Sequence, residues 1–199
     1  MSGGSLRHHL DRFGSRLRHI AYRTRAGWSC RWAGGLYDIN RSVRFAVPVR
    51  MDGKGIVRIE SSVRIGYSKA PRFGSGEVLL QARMPRSNVH VATDVVLSNN
   101  VSIIAFDSVE IGSKSLVGDS VLITDCDAHE VNPSTRRDSP GPTKPVKIGE
   151  NVWIGSRSIV LKGCDIGENS VIGAGSIVTR PIPANVVAAG SPAVVLREI

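Results

Sequence analysis

"IGENVWIGSRSIVLKGCDIGENSVIGAGSIVTRPIP", residues 148–183, divides into six blocks of six, each beginning with Ile except the third and sixth, which begin with Val. The second position is Gly in four blocks, and the fifth is Val152, Ser158, Cys164, Ser170, Ser176 or Ile182, mostly small. Neither the 3.6-residue period of an α-helix nor the two-residue period of a long strand keeps phase with a six-residue beat. Short strands joined by tight turns do keep it. The aliphatic residue then points inward from each flat face, and the small residues let the corner be turned beside it. One block cannot bury its apolar face alone, but coils stacked about 4.8 Å apart can, with backbone hydrogen bonds running between layers. The stretch predicts a β-solenoid prism.

Outward from this stretch the beat continues. It recurs at Val91, Leu97 and Ile103, slips by two residues, and resumes at Ile111, Val117 and Ile123; "IESSVR" from Ile59 and "IGYSKA" from Ile65 extend it towards the N-terminus. Gly is abundant, at 21 of 199 residues, while aromatics make up only 5%, a composition suited to narrow repeated turns rather than a core of large rings. The length fits one domain. Cys30, Cys126 and Cys164 lie far apart with no CxxC pair, so neither a disulfide framework nor a cysteine zinc site is indicated, and a reducing cytoplasm is the default. One interruption breaks the rhythm, a loop over residues 125–146 that contains His129.

The net charge of +9 is concentrated at one end. Residues 1–50 hold ten Arg and no Lys against Asp11 and Asp38, a net of +8. Within them Leu6, Leu10, Phe13, Leu17 and Ile20 recur at spacings of four and three, the mark of a basic amphipathic helix. Two readings stand: the stripe packs on the protein's own body, or it contacts an anionic membrane or partner peripherally. No nucleic-acid motif or stacking aromatic series accompanies the arginines, so no nucleic-acid partner is expected. No apolar run of spanning length occurs. The expected organisation is a basic N-terminal segment over 1–50, a solenoid over 51–185, and a C-terminal tail over 186–199.

"PVKIGENVWIGSRSIV" and "IGENSVIGAGSIVTRPIPANVVAAGSPAVVLREI", with a histidine about twenty residues before the first, closely resemble the hexapeptide-repeat acyltransferases. The likeness is greatest to the maltose, galactoside and nodulation-factor acetyltransferases and the O-acetyltransferases of surface polysaccharide synthesis. It covers roughly residues 90–199, with weaker repeats back to about 57. Periodicity alone does not give the handedness, and parallel crossovers usually favour the right hand. The resemblance implies instead an all-β, left-handed parallel β-helix, acetyl-CoA as co-substrate without a metal, a homotrimer, and active sites between neighbouring subunits.

Transfer of acetyl from a thioester to a hydroxyl needs proton removal, oxyanion stabilisation and alignment of two substrates. His129, at the lip of the interruption, matches the family's catalytic histidine, although "DCDAH" stands where the maltose-type enzymes have a shorter segment ending in His-Pro. Asp125 and Asp127 flank the path to it. Either carboxylate could fix the ring tautomer, Asp127 the favoured one, and either could merely end the strand. Cys126 is expected to be a buried or turn cysteine, since the family transfers acetyl directly.

Further positions follow from the same resemblance. Asn100 in "LSNNVSII" falls where sugar acetyltransferases orient the acceptor, and Ser156 where a backbone N–H faces the thioester carbonyl. Trp153 is expected to wall the acceptor or pantetheine channel. Ala174 and Gly175 allow close approach of the pantetheine arm, and Thr179, Arg180 and Arg197 match positions near the nucleotide end of coenzyme A. Arg136, Arg137 and Lys144 are loop charges that could reach an acidic acceptor.

The expected activity is acetyl-CoA-dependent O-acetylation of a sugar hydroxyl in polysaccharide or glycolipid assembly. The alternatives are N-acetylation of an amino sugar, acetylation of a small molecule, or a non-catalytic solenoid module. Serine acetyltransferases carry a helical domain larger than fifty residues supply. A β-helix carbonic anhydrase needs three convergent histidines, and beyond residue 20 only His90 and His129 occur.

Overall fold

The computed structural model describes residues 3–71 and 73–199, with side chains from Leu17 onward. Each six-residue block becomes one flat side and one corner of a triangular coil, and three parallel sheets run the length of the resulting prism. Face one stacks Leu36–Ile39, Ile56–Ile59, Asn88–Val91, Ser108–Ile111, Val146–Ile148 and Asp165–Ile166. Face two stacks Arg44–Phe45, Arg64–Ile65, Val96–Leu97, Leu116–Val117, Trp153–Ile154, Val171–Ile172 and Val186–Gly190. Face three stacks Val49–Gly53, Val78–Ala82, Ser102–Ala105, Leu122–Thr124, Ile159–Val160 and Ile177–Val178. The coil is left-handed, opposite to the hand that parallel crossovers usually take.

Parallel register turns the repeated aliphatic position into continuous columns. Ile59, Val91, Ile111, Ile148 and Ile166 stack on face one, Ile65, Leu97, Val117, Ile154 and Ile172 on face two, and Met51, Leu80, Ile103, Ile123, Val160 and Val178 on face three. All are buried, and together they fill the interior without a large ring beyond Phe45.

The glycine at the second position of four of the blocks is not what turns the corner. Asn151, Arg157, Gly163, Asn169 and Gly175, at the fourth position, take positive φ, and Asn151, Asn169 and Asn185 bond side chain to side chain up one corner at 3.0 and 2.9 Å. The second-position glycines serve stacking. A Cβ on Gly167 would lie 2.3 Å from the Ala184 amide nitrogen, so only a residue without one lets the next coil settle at its spacing.

Both ends of the prism are closed. The N-terminal helix, Gly3–Trp32, lays His19, Tyr22, Ala26 and Cys30 over the first coil. There His19 stacks on Phe45, its Nδ1 accepts the Phe45 amide at 3.1 Å, and Ser29 Oγ accepts the Met51 amide at 3.1 Å. These side chains satisfy sheet-edge donors that would otherwise remain open. At the other end Ala193–Glu198 folds antiparallel onto Val186–Gly190.

Two expectations differ from what is found. The first coil begins at Leu36, inside the segment set apart as 1–50, because Leu36–Ile39 pairs with Ile56–Ile59. The apolar stripe is also not the packing face: Leu17 is 53% and Ile20 59% exposed. The side chains of Leu6, Leu10 and Phe13 lie outside those described. The helix meets the prism through its other side, where Ala26 and Cys30 are buried, Tyr22 packs on the core and His19 and Ser29 bond the edge amides of Phe45 and Met51.

Candidate active site

The loop that interrupts the repeat leaves face three at Thr124 and returns to face one at Val146. Its neck is tied shut. Cys126 bridges Thr143, the Lys144 amide donates to the Asp125 carbonyl at 2.9 Å, and the Cys126 thiol donates to the Pro140 carbonyl at 3.0 Å. Asp125, fully buried, accepts the Phe106 and Asp107 amides at 2.8 and 2.7 Å. These amides belong to the two-residue slip in the preceding coil, which the carboxylate holds in place. Burial pushes the Asp125 carboxyl up, against the pull of backbone hydrogen bonds from Phe106, Asp107 and Ser108. Burial likewise raises the Cys126 thiol, which suits a structural cysteine rather than a thiolate nucleophile.

His129 stands exposed on this loop, with Nδ1 3.2 Å from the Arg136 carbonyl. A carbonyl can only accept, so Nδ1 is the donor in this contact and the tautomer it selects leaves the lone pair on Nε2. The carboxylate expected to orient the ring is engaged elsewhere. Asp127 pairs with Lys162 on the next coil, and Asp125 is buried against backbone amides. The group that the His129 ring meets is thus a neutral backbone carbonyl and not Asp127.

A second group lines the edge between faces two and three. Asn100, with φ +57°, donates from Nδ2 to Asp119 Oδ1 at 3.3 Å. The Asp119 amide donates to Ser156 Oγ at 3.2 Å, and the Gly175 amide donates to the Ser156 carbonyl at 2.9 Å. Ala174, Gly175 and half-buried Ser156 continue the same edge. Trp153, 55% exposed, lies on the adjoining face in register between Leu116 and Val171. It borders a cavity of about 400 Å³ that also contacts Arg64, Tyr67, Ser98 and Leu116.

One chain does not bring the two groups together. Thr179 and Arg180 follow face three, at the edge from which the His129 loop departs, and both are exposed. Arg197 sits on the terminal hairpin opposite Val187, its Nη1 donating to the Glu198 carbonyl at 3.0 Å. Arg136 and Arg137 are exposed on the loop, while Lys144 lies over Gly163 at the neck. The expected base and the expected oxyanion donor thus occupy different edges of the prism.

The chain matches the Bacterial transferase hexapeptide (six repeats) family over residues 145–180. It is 31% identical over 166 residues to a protein of Escherichia coli K12 provisionally named as a lipopolysaccharide biosynthesis O-acetyl transferase, covering 79% of each chain. This chain is a hexapeptide-repeat transferase. The galactoside O-acetyltransferase of Escherichia coli K12 is 43% identical over 113 residues, 57% of this chain and 55% of that protein, so the chain spans about half the length of that relative. A solved galactoside acetyltransferase in complex with coenzyme A superposes with a TM-score of 0.50 at 31% identity, over 83% of this chain and 65% of the other.

Three residues of this hexapeptide transferase were not singled out from sequence. Asn99, nearly fully buried, accepts the Tyr67 amide at 2.9 Å and donates to the Tyr67 carbonyl at 3.2 Å, pinning the chain beside the cavity. Asp119 links Asn100 to Ser156, and Lys162 holds Asp127. Each meets its partner across neighbouring coils, and the only sequence signal was a polar residue at a corner position. Among the described residues, no three His, Cys, Asp or Glu side chains converge as a metal site.

Proposed function

We propose that this protein is an acetyl-CoA-dependent O-acetyltransferase that acts on a sugar hydroxyl in polysaccharide or glycolipid assembly. The observation that carries the reading is the exposed His129 ring, its Nδ1 committed to the Arg136 carbonyl and its Nε2 available as an acceptor. Acetyl-CoA supplies a thioester whose carbonyl carbon is the electrophile. His129 Nε2 takes the acceptor hydroxyl proton as that oxygen bonds to the carbonyl carbon, and returns it to the departing sulfur, so that free thiol and acetyl ester result. The Ser156 amide serves as hydrogen-bond donor to the carbonyl oxygen as charge builds there.

The small residues Ala174 and Gly175 fit a pantetheine arm laid along the edge, and Thr179, Arg180 and Arg197 are exposed and suited to phosphates. Asn100 and Trp153 border the acceptor side. Because His129 and Ser156 lie on different edges, the complete site forms between neighbouring copies of a homotrimer. Three free, buried cysteines suit a reducing cytoplasm.

The test combines purified protein and acetyl-CoA with free sugars, amino sugars, nucleotide sugars and lipid-linked oligosaccharides, following release of coenzyme A thiol. A hydroxyl acceptor should turn over, and His129→Ala should reduce that turnover by about 100-fold or more while coenzyme A binding persists. Acetylation confined to amines would replace the O-acetyl reading. A variant retaining half the wild-type rate would remove His129 as the base.

A further inference from the structure

The N-terminal helix is amphipathic on the side that faces away from the protein. Its packed residues, His19, Tyr22, Ala26 and Cys30, recur every three or four positions and define one face. Leu17, Ile20, Thr24, Trp28, Arg31 and Trp32 recur with the same spacing on roughly the opposite face. Leu17 and Ile20 are more than half exposed, and Trp28 and Trp32 are 69% and 87% exposed. In sequence, Leu6, Leu10 and Phe13 extend this spacing towards the N-terminus. Such a row of large apolar side chains, turned outward along one element, marks a binding surface rather than scattered exposure.

We propose that this outward face docks on an anionic lipid bilayer, with the helix lying flat in the interface. Charge selects this occupant. The first fifty residues carry ten Arg against Asp11 and Asp38. Among the described residues, Arg18 and Arg31 make no ion pair or side-chain hydrogen bond, although both belong to this helix. A second copy would bring arginine against arginine across a two-fold contact, which charge disfavours. A negatively charged surface answers both the apolar row and its guanidinium flanks. At the helix end, Trp28, Trp32, Tyr37, Arg23 and Arg31 border an open cavity of about 550 Å³, where amphipathic rings and a free guanidinium suit the headgroup level. No described helix is long and apolar enough to cross a membrane, so the contact is peripheral.

This docking does not depend on the acetyl-transfer reading. Full-length protein is mixed with vesicles of phosphatidylcholine alone, and of phosphatidylcholine with phosphatidylglycerol, and sedimented at low and high salt. It should pellet with the anionic vesicles at low salt, far less at high salt, and weakly with the neutral ones. Tryptophan emission should shift to the blue on binding, since two of the chain's three tryptophans, Trp28 and Trp32, lie on the docking face. Trp28→Ser with Trp32→Ser should weaken vesicle affinity by about tenfold or more and leave the circular dichroism spectrum unchanged. Leu17→Ser with Ile20→Ser should act in the same direction, guarding against a local effect of losing the tryptophans. Protein that stays in the supernatant with anionic vesicles at low salt overturns the proposal. So does equal pelleting of wild type and both double variants. A fall in oligomer mass on substitution, with vesicle binding unaltered, assigns the face to a second copy and equally overturns it.

Discussion

His129 and Asp127 are two residues apart in the chain, yet they hydrogen-bond to different partners, the Arg136 carbonyl and Lys162. A carbonyl fixes the ring tautomer without adding the negative charge that a carboxylate offers an imidazolium. Asp127→Asn should therefore lower turnover by only a few-fold and leave the pH profile of kcat/KM in place, because the His129–Arg136 contact survives. A fall approaching the roughly 10⁴-fold loss caused by removing a triad carboxylate, with a displaced pH limb, would restore Asp127 as the orienting group. His129 could be singled out as a candidate because it lies where a strict repeat stops. The carbonyl that its Nδ1 meets could not be, since any backbone carbonyl in the loop could have served and only the loop's own fold selects Arg136. Lys162 was hidden for another reason: it lies 35 residues from Asp127 and meets it only because adjacent coils stack.

The single coil shows how far periodicity reaches. The inward aliphatic column follows directly from the six-residue beat, since each such residue meets its counterpart in the next coil by register. The task of each small position does not follow, because turning a corner and admitting a neighbouring coil both call for glycine. Structure separates them: Arg157 takes φ +62° at an exposed corner, while Gly167 has ordinary φ but no room for a Cβ beside the Ala184 nitrogen. Opposite outcomes are expected from exchanging these residue types. Gly167→Ala should cost about 1–3 kcal/mol, the scale of overpacking against a backbone that cannot retreat. Arg157→Gly should be neutral or stabilise by up to about 1 kcal/mol, as relief from the left-handed region offsets the entropy of a freer unfolded chain. Denaturant unfolding of both variants checks this, and a stabilised Gly167→Ala would show that the coils can move apart. The helix teaches the same limit, for its amphipathic period was visible in sequence but not which side would face the prism.

Across the whole molecule the three faces differ in what they show to solvent. Face one carries a polar column of Asp38, Arg58, His90, Glu110, Lys147 and Asp165 in parallel register. Face three carries Arg50, Leu79, Ser102, Leu122, Ile159 and Ile177 in its outer column, apolar beyond Arg50 except for one serine. Charged rungs are satisfied by water, whereas a row of Leu and Ile gains from being covered by another copy. Face three is bounded by the two edges that hold the divided site, Ser156 on one and the departure of the His129 loop on the other. Covering it would place a neighbour beside both groups, which is why the proposed trimer and the proposed activity stand together. Leu122→Asp with Ile159→Asp should reduce the sedimenting mass to that of a monomer and abolish turnover, although neither residue is placed in the site. Glu110→Lys on face one should change neither. A double variant that remained trimeric and active would show that face three is not the contact, and a monomeric variant with full turnover would show that one chain assembles the site after all.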